Sequence, residues 1–215
     1  MTTLRFTLVA DGPTDACLVH VINWVLSQDP ERHFFEFRGQ CADTRWLRER
    51  PKGLAARITA GFRQFPCDVL FVHRDAERVS VEKRRQEIRV AIGSREVPAH
   101  VPVVPVRMTE AWLLIDEPAI RKAADNPNGT AQLDLPPVRK LESAPDPKRI
   151  LKSCLLDASE LRGRRRDQFE RGLPRRVQRV AELVADFSPL RRLDAFQQFE
   201  AETRRVLAET SFRES

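Results

Sequence analysis

The sequence predicts an α/β fold: a small, mostly parallel sheet of about four strands with helices on both faces, followed by a C-terminal helical extension. Two observations carry this. Compact apolar runs rich in β-formers, at residues 4–10, 33–37, 68–72 and 101–106, alternate with stretches whose apolar residues recur every three or four positions. The strand signals then stop near residue 117 while helical periodicity continues. Alternation of strand and helix implies right-handed crossovers, and so parallel strands. With 215 residues, 41% of them hydrophobic, the chain can bury a sizeable core.

Each element has its local reason. Residues 4–10 form the first strand, broken by Asp11-Gly12-Pro13-Thr14. Leu18, Val21, Ile22 and Val25 then make one apolar stripe, with Pro13 suited to the first turn and Asp11 or Thr14 able to cap it. Residues 33–37 read as a second strand. Residues 44–65 read as helical on both sides of Pro51, with Leu54, Ile58, Phe62 and Phe65 along one face. Residues 68–72 form a short buried strand ending in His73-Arg74-Asp75-Ala76-Glu77, and residues 80–92 a polar helix. Residues 101–106 are a fourth strand, although Pro102 and Pro105 each lack a ladder donor. A helix starts at 109–116. Beyond the Asn126–Gly129 turn cluster and Pro136-Pro137, helices are expected at 147–158, 177–187 and 195–208. The expected division is an α/β domain at 1–117 and a basic helical extension at 118–215.

Charge and cysteine usage narrow the function classes. The net charge is +6, and it is uneven: residues 139–192 hold 15 basic and 8 acidic side chains, whereas residues 1–138 hold 19 and 18. A basic segment favours polyanionic partners. No stretch approaches the ~20 apolar residues of a membrane-spanning helix, and the start lacks the architecture of a secretory signal. Cys17, Cys41, Cys67 and Cys154 are scattered without a C-x-x-C pair, which fits a reducing, cytoplasmic setting better than disulfides or a zinc site.

In open α/β sheets ligands bind beyond the carboxyl ends of the strands. Three strand ends deliver acids there: Asp11 with Asp15 after the first strand, Asp75 and Glu77 after the third, and Glu110 after the fourth. Converging carboxylates are what Mg²⁺ (or Mn²⁺) requires. A divalent ion beside a basic surface points to phosphodiester chemistry. Each acid also has a plain structural reading, as a turn former, a cap or a first-turn acid that favours the helix dipole. His73 reads as a ligand, a base or an ordinary structural histidine, and Thr14 as a cap.

At these residues the chain resembles a family. Leu8-Val9-Ala10-Asp11-Gly12-Pro13-Thr14-Asp15 is similar to the E-G-x-[ST]-[DE] opening of TOPRIM-type domains, and Val69 through Glu77 is similar to their later strand with its D-x-D motif. Thr109-Glu110-Ala111-Trp112-Leu113-Leu114-Ile115-Asp116 resembles the E-x-W-L-L-x-D stretch of small bacterial TOPRIM-like proteins akin to the overcoming-lysogenization-defect nucleases, some relatives of which act in phage defence. The resemblance spans about residues 4–116. It implies a TOPRIM-like fold and gives Asp11 the role of general acid/base or ligand. It gives Asp75, with Glu77 second to it, the metal. By their placement at the strand ends, Glu110 is expected to orient water or metal, with Asp15 and His73 as accessories. Two positions depart from the pattern: Asp11 is one methylene shorter than the usual Glu, and His73 stands where the first acid of D-x-D is found.

The basic segment concentrates Arg162, Arg164, Arg165, Arg166, Arg171, Arg175, Arg176 and Arg179, interrupted by Phe169 and Leu173. It reads as an amphipathic helix whose Arg164, Arg165, Arg166, Arg175 and Arg176 would grip the phosphates of DNA or RNA. A solvated helix face is the plain alternative. Together these features predict a Mg²⁺-dependent nuclease. The rival readings are a degenerate, non-catalytic TOPRIM module that binds nucleic acid or docks on an ATPase partner, and a phosphoesterase for small esters. No membrane partner is expected.

Overall fold

A computed structural model describes residues 2–32 and 34–210. Four parallel strands, β1 (Thr3–Val9), β2 (Glu36–Cys41), β3 (Val69–His73) and β4 (Ala99–Val103), lie in the order β2-β1-β3-β4. Phe6 stands opposite Gly39 on one side and Val69 on the other, and Phe71 opposite Val101. Strand side chains alternate between faces. Leu4, Phe6, Leu8, Val69, Phe71, Val101 and Val103 point to one face, where α1 (Leu18–Ser27) packs. Val9, Leu70 and Val72 point to the other, covered by α2 (Leu54–Gln64) and α3 (Val81–Ile92). The chain therefore steps one way from β1 to β2 and the opposite way from β2 through β3 to β4. Right-handed crossovers put those helices on opposite faces. The carboxyl ends of β1 and β3 flank the resulting switch point, where open α/β sheets bind ligands.

The helices after residue 117 belong to the same core. They are α4 (Glu117–Ala123), α5 (Pro147–Ser159), α6 (Gly163–Arg171), α7 (Leu173–Leu183) and α8 (Asp194–Glu209). Their buried residues join one apolar cluster running from Leu4 to Leu207. The Phe199 ring of α8 lies 6.2 Å from Phe71 of β3 and 5.9 Å from Trp112, and Phe196 lies 5.2 Å from Trp112. The expected extension is thus the second layer over the sheet, and residue 117 divides nothing in the core.

Several expected elements move. The second strand is Glu36–Cys41 rather than 33–37, and His33 lies outside the described residues. Its pattern is half-buried Phe37, Gly39 and Cys41 between exposed Arg38 and Gln40, a period of two that the apolar run upstream obscures. Gly39 is required there: an added Cβ would sit 2.0 Å from Phe6 Cζ. The helix expected over 44–65 is only Leu54–Gln64. Upstream, Arg45 N–H donates to Asp43 Oδ1 (3.0 Å) and Leu47 N–H to the Thr44 carbonyl (3.2 Å), so residues 42–53 turn rather than coil. Gly53 then adopts φ +80° immediately before the helix. Residues 109–116 form a 3₁₀ turn, Thr109–Leu113, after which Asp116 caps α4 by accepting from Ala119 N–H at 2.9 Å. The basic segment is two helices, α6 and α7, joined at Gly172. Among the described residues no helix is long and apolar enough to cross a membrane.

Candidate functional site

The loops after β1, β3 and β4 meet at the switch point, and alternation along β3 sorts their side chains into two groups. His73 is fully buried on the α1 face. Its Nε2 lies 3.1 Å from Asp75 Oδ1 and 3.2 Å from Thr109 Oγ1, and the Thr109 hydroxyl also donates to Asp75 Oδ1 at 3.3 Å. On the ring's other side, Nδ1 is 3.7 Å from Asp15 Oδ2 and makes no hydrogen bond. Asp15 Oδ2 accepts instead from Gly12 N–H at 2.8 Å. Glu110, only 5% exposed, completes the group, with Lys148 Nζ of α5 3.9 Å from its Oε1.

The electrostatics are those of crowded acids. Burial pushes the Asp15 carboxyl above its usual range, His73 opposes this, and Asp75 adds to it. Burial likewise raises Glu110; its own backbone N–H and Lys148 oppose this, and Asp75 and Asp15 add to it. Asp15, Asp75 and Glu110 thus come from three strand ends, and Asp75 raises both of the other two.

The second group lies on the α2/α3 side. Arg57 of α2 donates from Nη2 to Asp11 Oδ1 at 2.7 Å and from Nη1 to the Ala10 and Asp11 carbonyls, both at 3.1 Å. Arg74 Nε is 3.0 Å from Asp11 Oδ2 but off the hydrogen-bond axis, so this contact is an ion pair without a hydrogen bond. Arg74 Nη2 reaches Glu87 at 3.6 Å, and Arg84 bridges Glu87 at 2.8 Å and Glu77 at 3.4 Å. The Arg84 Nε–H also donates to the Asp75 carbonyl at 2.9 Å. Alternating charges therefore run from Arg57 to Glu77. Beyond Asp11 a cleft of about 360 Å³ opens over the carboxyl ends of β1 and β2, walled by Pro13, Ala16, Cys41, Ala42, Arg45 and Arg57.

The expected set Asp11, Asp75 and Glu77 is accordingly not brought together. Asp11 stands beside the cluster but has an arginine at each carboxylate oxygen. Glu77 turns away: it adopts φ +52°, its N–H donates to the Arg107 carbonyl, and its side chain is 63% exposed against Arg84. Arg107 is itself left-handed, at φ +67°, so two strained residues face one another behind the site. Asp75, Asp15, His73 and Glu110 do converge. Among the described residues no group of three or more His, Cys, Asp or Glu side chains stands ready to hold a metal ion.

The expected arginines divide as well. Arg176 donates to the Ala123 carbonyl and to Asp125, both at 2.7 Å, and lies over the Phe169 ring at 3.9 Å, so it locks α7 to α4 and α6. Arg166 reaches the Leu156 carbonyl at 3.3 Å and Asp157 at 3.8 Å. Arg164, Arg165 and Arg175 are exposed. α7 packs against both the Pro13–Cys17 turn and the Thr109–Leu113 turn, and Gln178 donates to the Thr14 carbonyl. Arg175 precedes Gln178 by one turn of the same helix, which brings the helical layer beside the acid cluster.

Thr109, Lys148, Arg57 and Arg74 are site residues that motif reading does not find. One signal for Lys148 is available: a lysine directly after Pro147, in the first turn of a helix, opposes the macrodipole and so calls for another partner. Compared with protein-family models, curated proteins and solved structures, the chain matches none.

Proposed function

We propose that the chain hydrolyses phosphodiester bonds in DNA or RNA with the help of Mg²⁺ or Mn²⁺. The observation that carries this reading is the placement of Asp15, Asp75 and Glu110 around His73 at the switch point, where burial raises Asp15 and Glu110 and Asp75 adds to both. Buried carboxylates crowded by a further acid are stabilised by a cation. Their donor set, hard oxygens with one imidazole, suits Mg²⁺ and, because of His73, Mn²⁺ somewhat better. When bound, such an ion supplies Lewis-acid polarisation of a phosphoryl oxygen and a more acidic water.

The chain's own residues have distinct jobs. Asp15, Asp75 and Glu110, which do not stand ready for an ion as they are placed, would have to close together to hold it. His73 and Thr109 both hold Asp75 Oδ1, leaving its other oxygen to face the ion, and Gly12 N–H fixes Asp15. Lys148 balances Glu110 and offers a cation to a phosphate oxygen. Asp11, held by Arg57 and Arg74, orients those arginines toward the substrate side of the loops. Arg164, Arg165 and Arg175 add phosphate contacts along the helical layer.

The test is a cleavage panel of single- and double-stranded DNA and RNA with Mg²⁺ or Mn²⁺, wild type against Asp75→Asn. The variant should lose cleavage while keeping its thermal midpoint; cleavage at the wild-type rate overturns the assignment. A second reading, a nucleic-acid-binding module without catalysis, is favoured by the two arginines that occupy Asp11. Salt-sensitive binding with no cleavage of any strand type selects it.

A further inference from the structure

The segment between β2 and α2 carries a surface that the site does not use. Residues 42–53 read Ala-Asp-Thr-Arg-Trp-Leu-Arg-Glu-Arg-Pro-Lys-Gly and leave the sheet at its carboxyl edge. Trp46 is 65% exposed, whereas Trp112 is buried and Trp24 half-buried against Phe187 and Phe196. Arg45 pairs with Asp43 at 2.6 Å. Arg48, Arg50 and Lys52 are exposed and make no ion pair among the described residues. From Lys52 the charge continues into a shallow groove of about 560 Å³ along α2, lined by Lys52, Arg63 and Arg95 over a floor of Ala55, Ala56 and Thr59. At its other end Arg45 lines the cleft at Asp11.

A run of exposed cations, with Arg48, Arg50 and Lys52 free of ion pairs among the described residues and one flat aromatic ring exposed beside them, is the chemistry of a single-strand platform. Cations track the backbone, and an exposed ring can stack only on a base not already stacked in a duplex. An acidic membrane surface fits less well, because Trp46 is the sole large exposed apolar side chain in the segment and a concave groove of small residues offers nothing to insert.

We propose that the 42–53 loop and the Lys52–Arg63–Arg95 groove bind single-stranded nucleic acid and lead it past Arg45 to the cleft beside Asp11. The inference rests on the reading of the chain as a nucleic-acid-processing protein, and it names single strands as the substrate form.

The experiment is binding of a labelled oligothymidylate to the full chain in EDTA, by anisotropy and by quenching of tryptophan fluorescence, so that no cleavage enters. Trp46→Ala should weaken binding about ten- to a hundredfold and abolish the quenching, with Trp46→Phe retaining most of the affinity. Arg48→Gln with Arg50→Gln should flatten the slope of log affinity against log salt by about 1.4. A duplex of matching length should bind at least about tenfold more weakly than the single strand. Unchanged affinity in Trp46→Ala, preference for the duplex, or binding only to phosphatidylserine vesicles overturns the proposal. The two readings fail separately. Single-strand binding without any metal-dependent cleavage removes only the hydrolase, and cleavage by Trp46→Ala with unaltered KM removes only the platform.

Discussion

Phe199→Ala tests whether the helical layer and the sheet are one cooperative unit. Phe199 is 1% exposed, and its ring has three aromatic neighbours: Phe71 of β3 at 6.2 Å, Trp112 at 5.9 Å and Phe196 at 6.0 Å. Truncating a buried phenylalanine costs about 3–5 kcal/mol in transfer and cavity terms. The loss of three ring contacts places this site at the upper end of that range. A domain of this kind is stable by only about 5–15 kcal/mol. At about 5 kcal/mol the variant should therefore lose a third or more of its stability, with a midpoint lower by about 10–20 °C. The assay is urea unfolding followed by tryptophan fluorescence, for which Trp112 stacked on Phe199 is a built-in reporter, and by far-ultraviolet circular dichroism. Both signals should move together in one transition. A cost below about 1 kcal/mol, or an early helical transition that leaves the fluorescence signal intact, would refute the claim that residues 118–210 complete the core of the sheet.

Two further predictions concern other parts of the fold. Gly39→Ala puts a Cβ 2.0 Å from Phe6 Cζ, between a strand backbone and a buried ring, and should cost about 1–3 kcal/mol in a urea titration. Glu202 of α8 accepts from Arg205 (2.8 Å) and lies 3.6 Å from Arg85 of α3, and its carboxyl is lowered first by the Arg205 hydrogen bond, then by the charges of Arg205, Arg85 and His100. A depressed folded pKa stabilises above the ordinary value of 4.5 and stops doing so as pH falls through the folded value. Glu202→Gln should thus cost about 0.5–1 kcal/mol near neutrality and almost nothing in strong acid, a difference read from paired thermal melts.

Much of the fold was legible because its signals are local. The buried run Val69–His73 and the Ser80 cap of α3, whose side chain accepts from Lys83 N–H, announce themselves in a few residues. The position of β2 is not local in the sequence, because its pattern depends on Phe6, a residue on another strand, and nothing near Gly39 advertises that ring. The segment 44–53 carries helix-compatible residues, but Asp43 and Gly53 at its ends decide against coiling. At the site, the sequence order identified which loops matter and misjudged which acids meet. Asp15 passes for a first-turn acid until the fold turns it onto His73. Asp11 and Glu77 pass for ligands until Arg57, Arg74 and Arg84 arrive from two other helices and a strand end. Long-range ion pairs of that kind leave no trace in spacing.

That division has a single geometric origin. Successive residues of an extended chain face opposite ways, so His73 and Asp75 point toward α1 while Arg74, between them, points toward α2 and α3. One three-residue run therefore feeds two sites: an acid cluster on one face and an ion-pair ribbon on the other. The ribbon neutralises Asp11 and Glu77, so the negative potential that remains is concentrated on Asp15, Asp75 and Glu110, with Lys148 as a nearby cation. Outside that pocket two groups of exposed arginines and lysine stand without an ion pair among the described residues: Arg164, Arg165 and Arg175 on the helical layer, and Arg48, Arg50 and Lys52 beyond β2. The excess of +6 in the whole chain is carried mainly by residues 139–192, where 15 basic face 8 acidic side chains. If the proposed function holds, a polyanion drawn to these basic groups would meet, at the switch point, the acids proposed to take the cation.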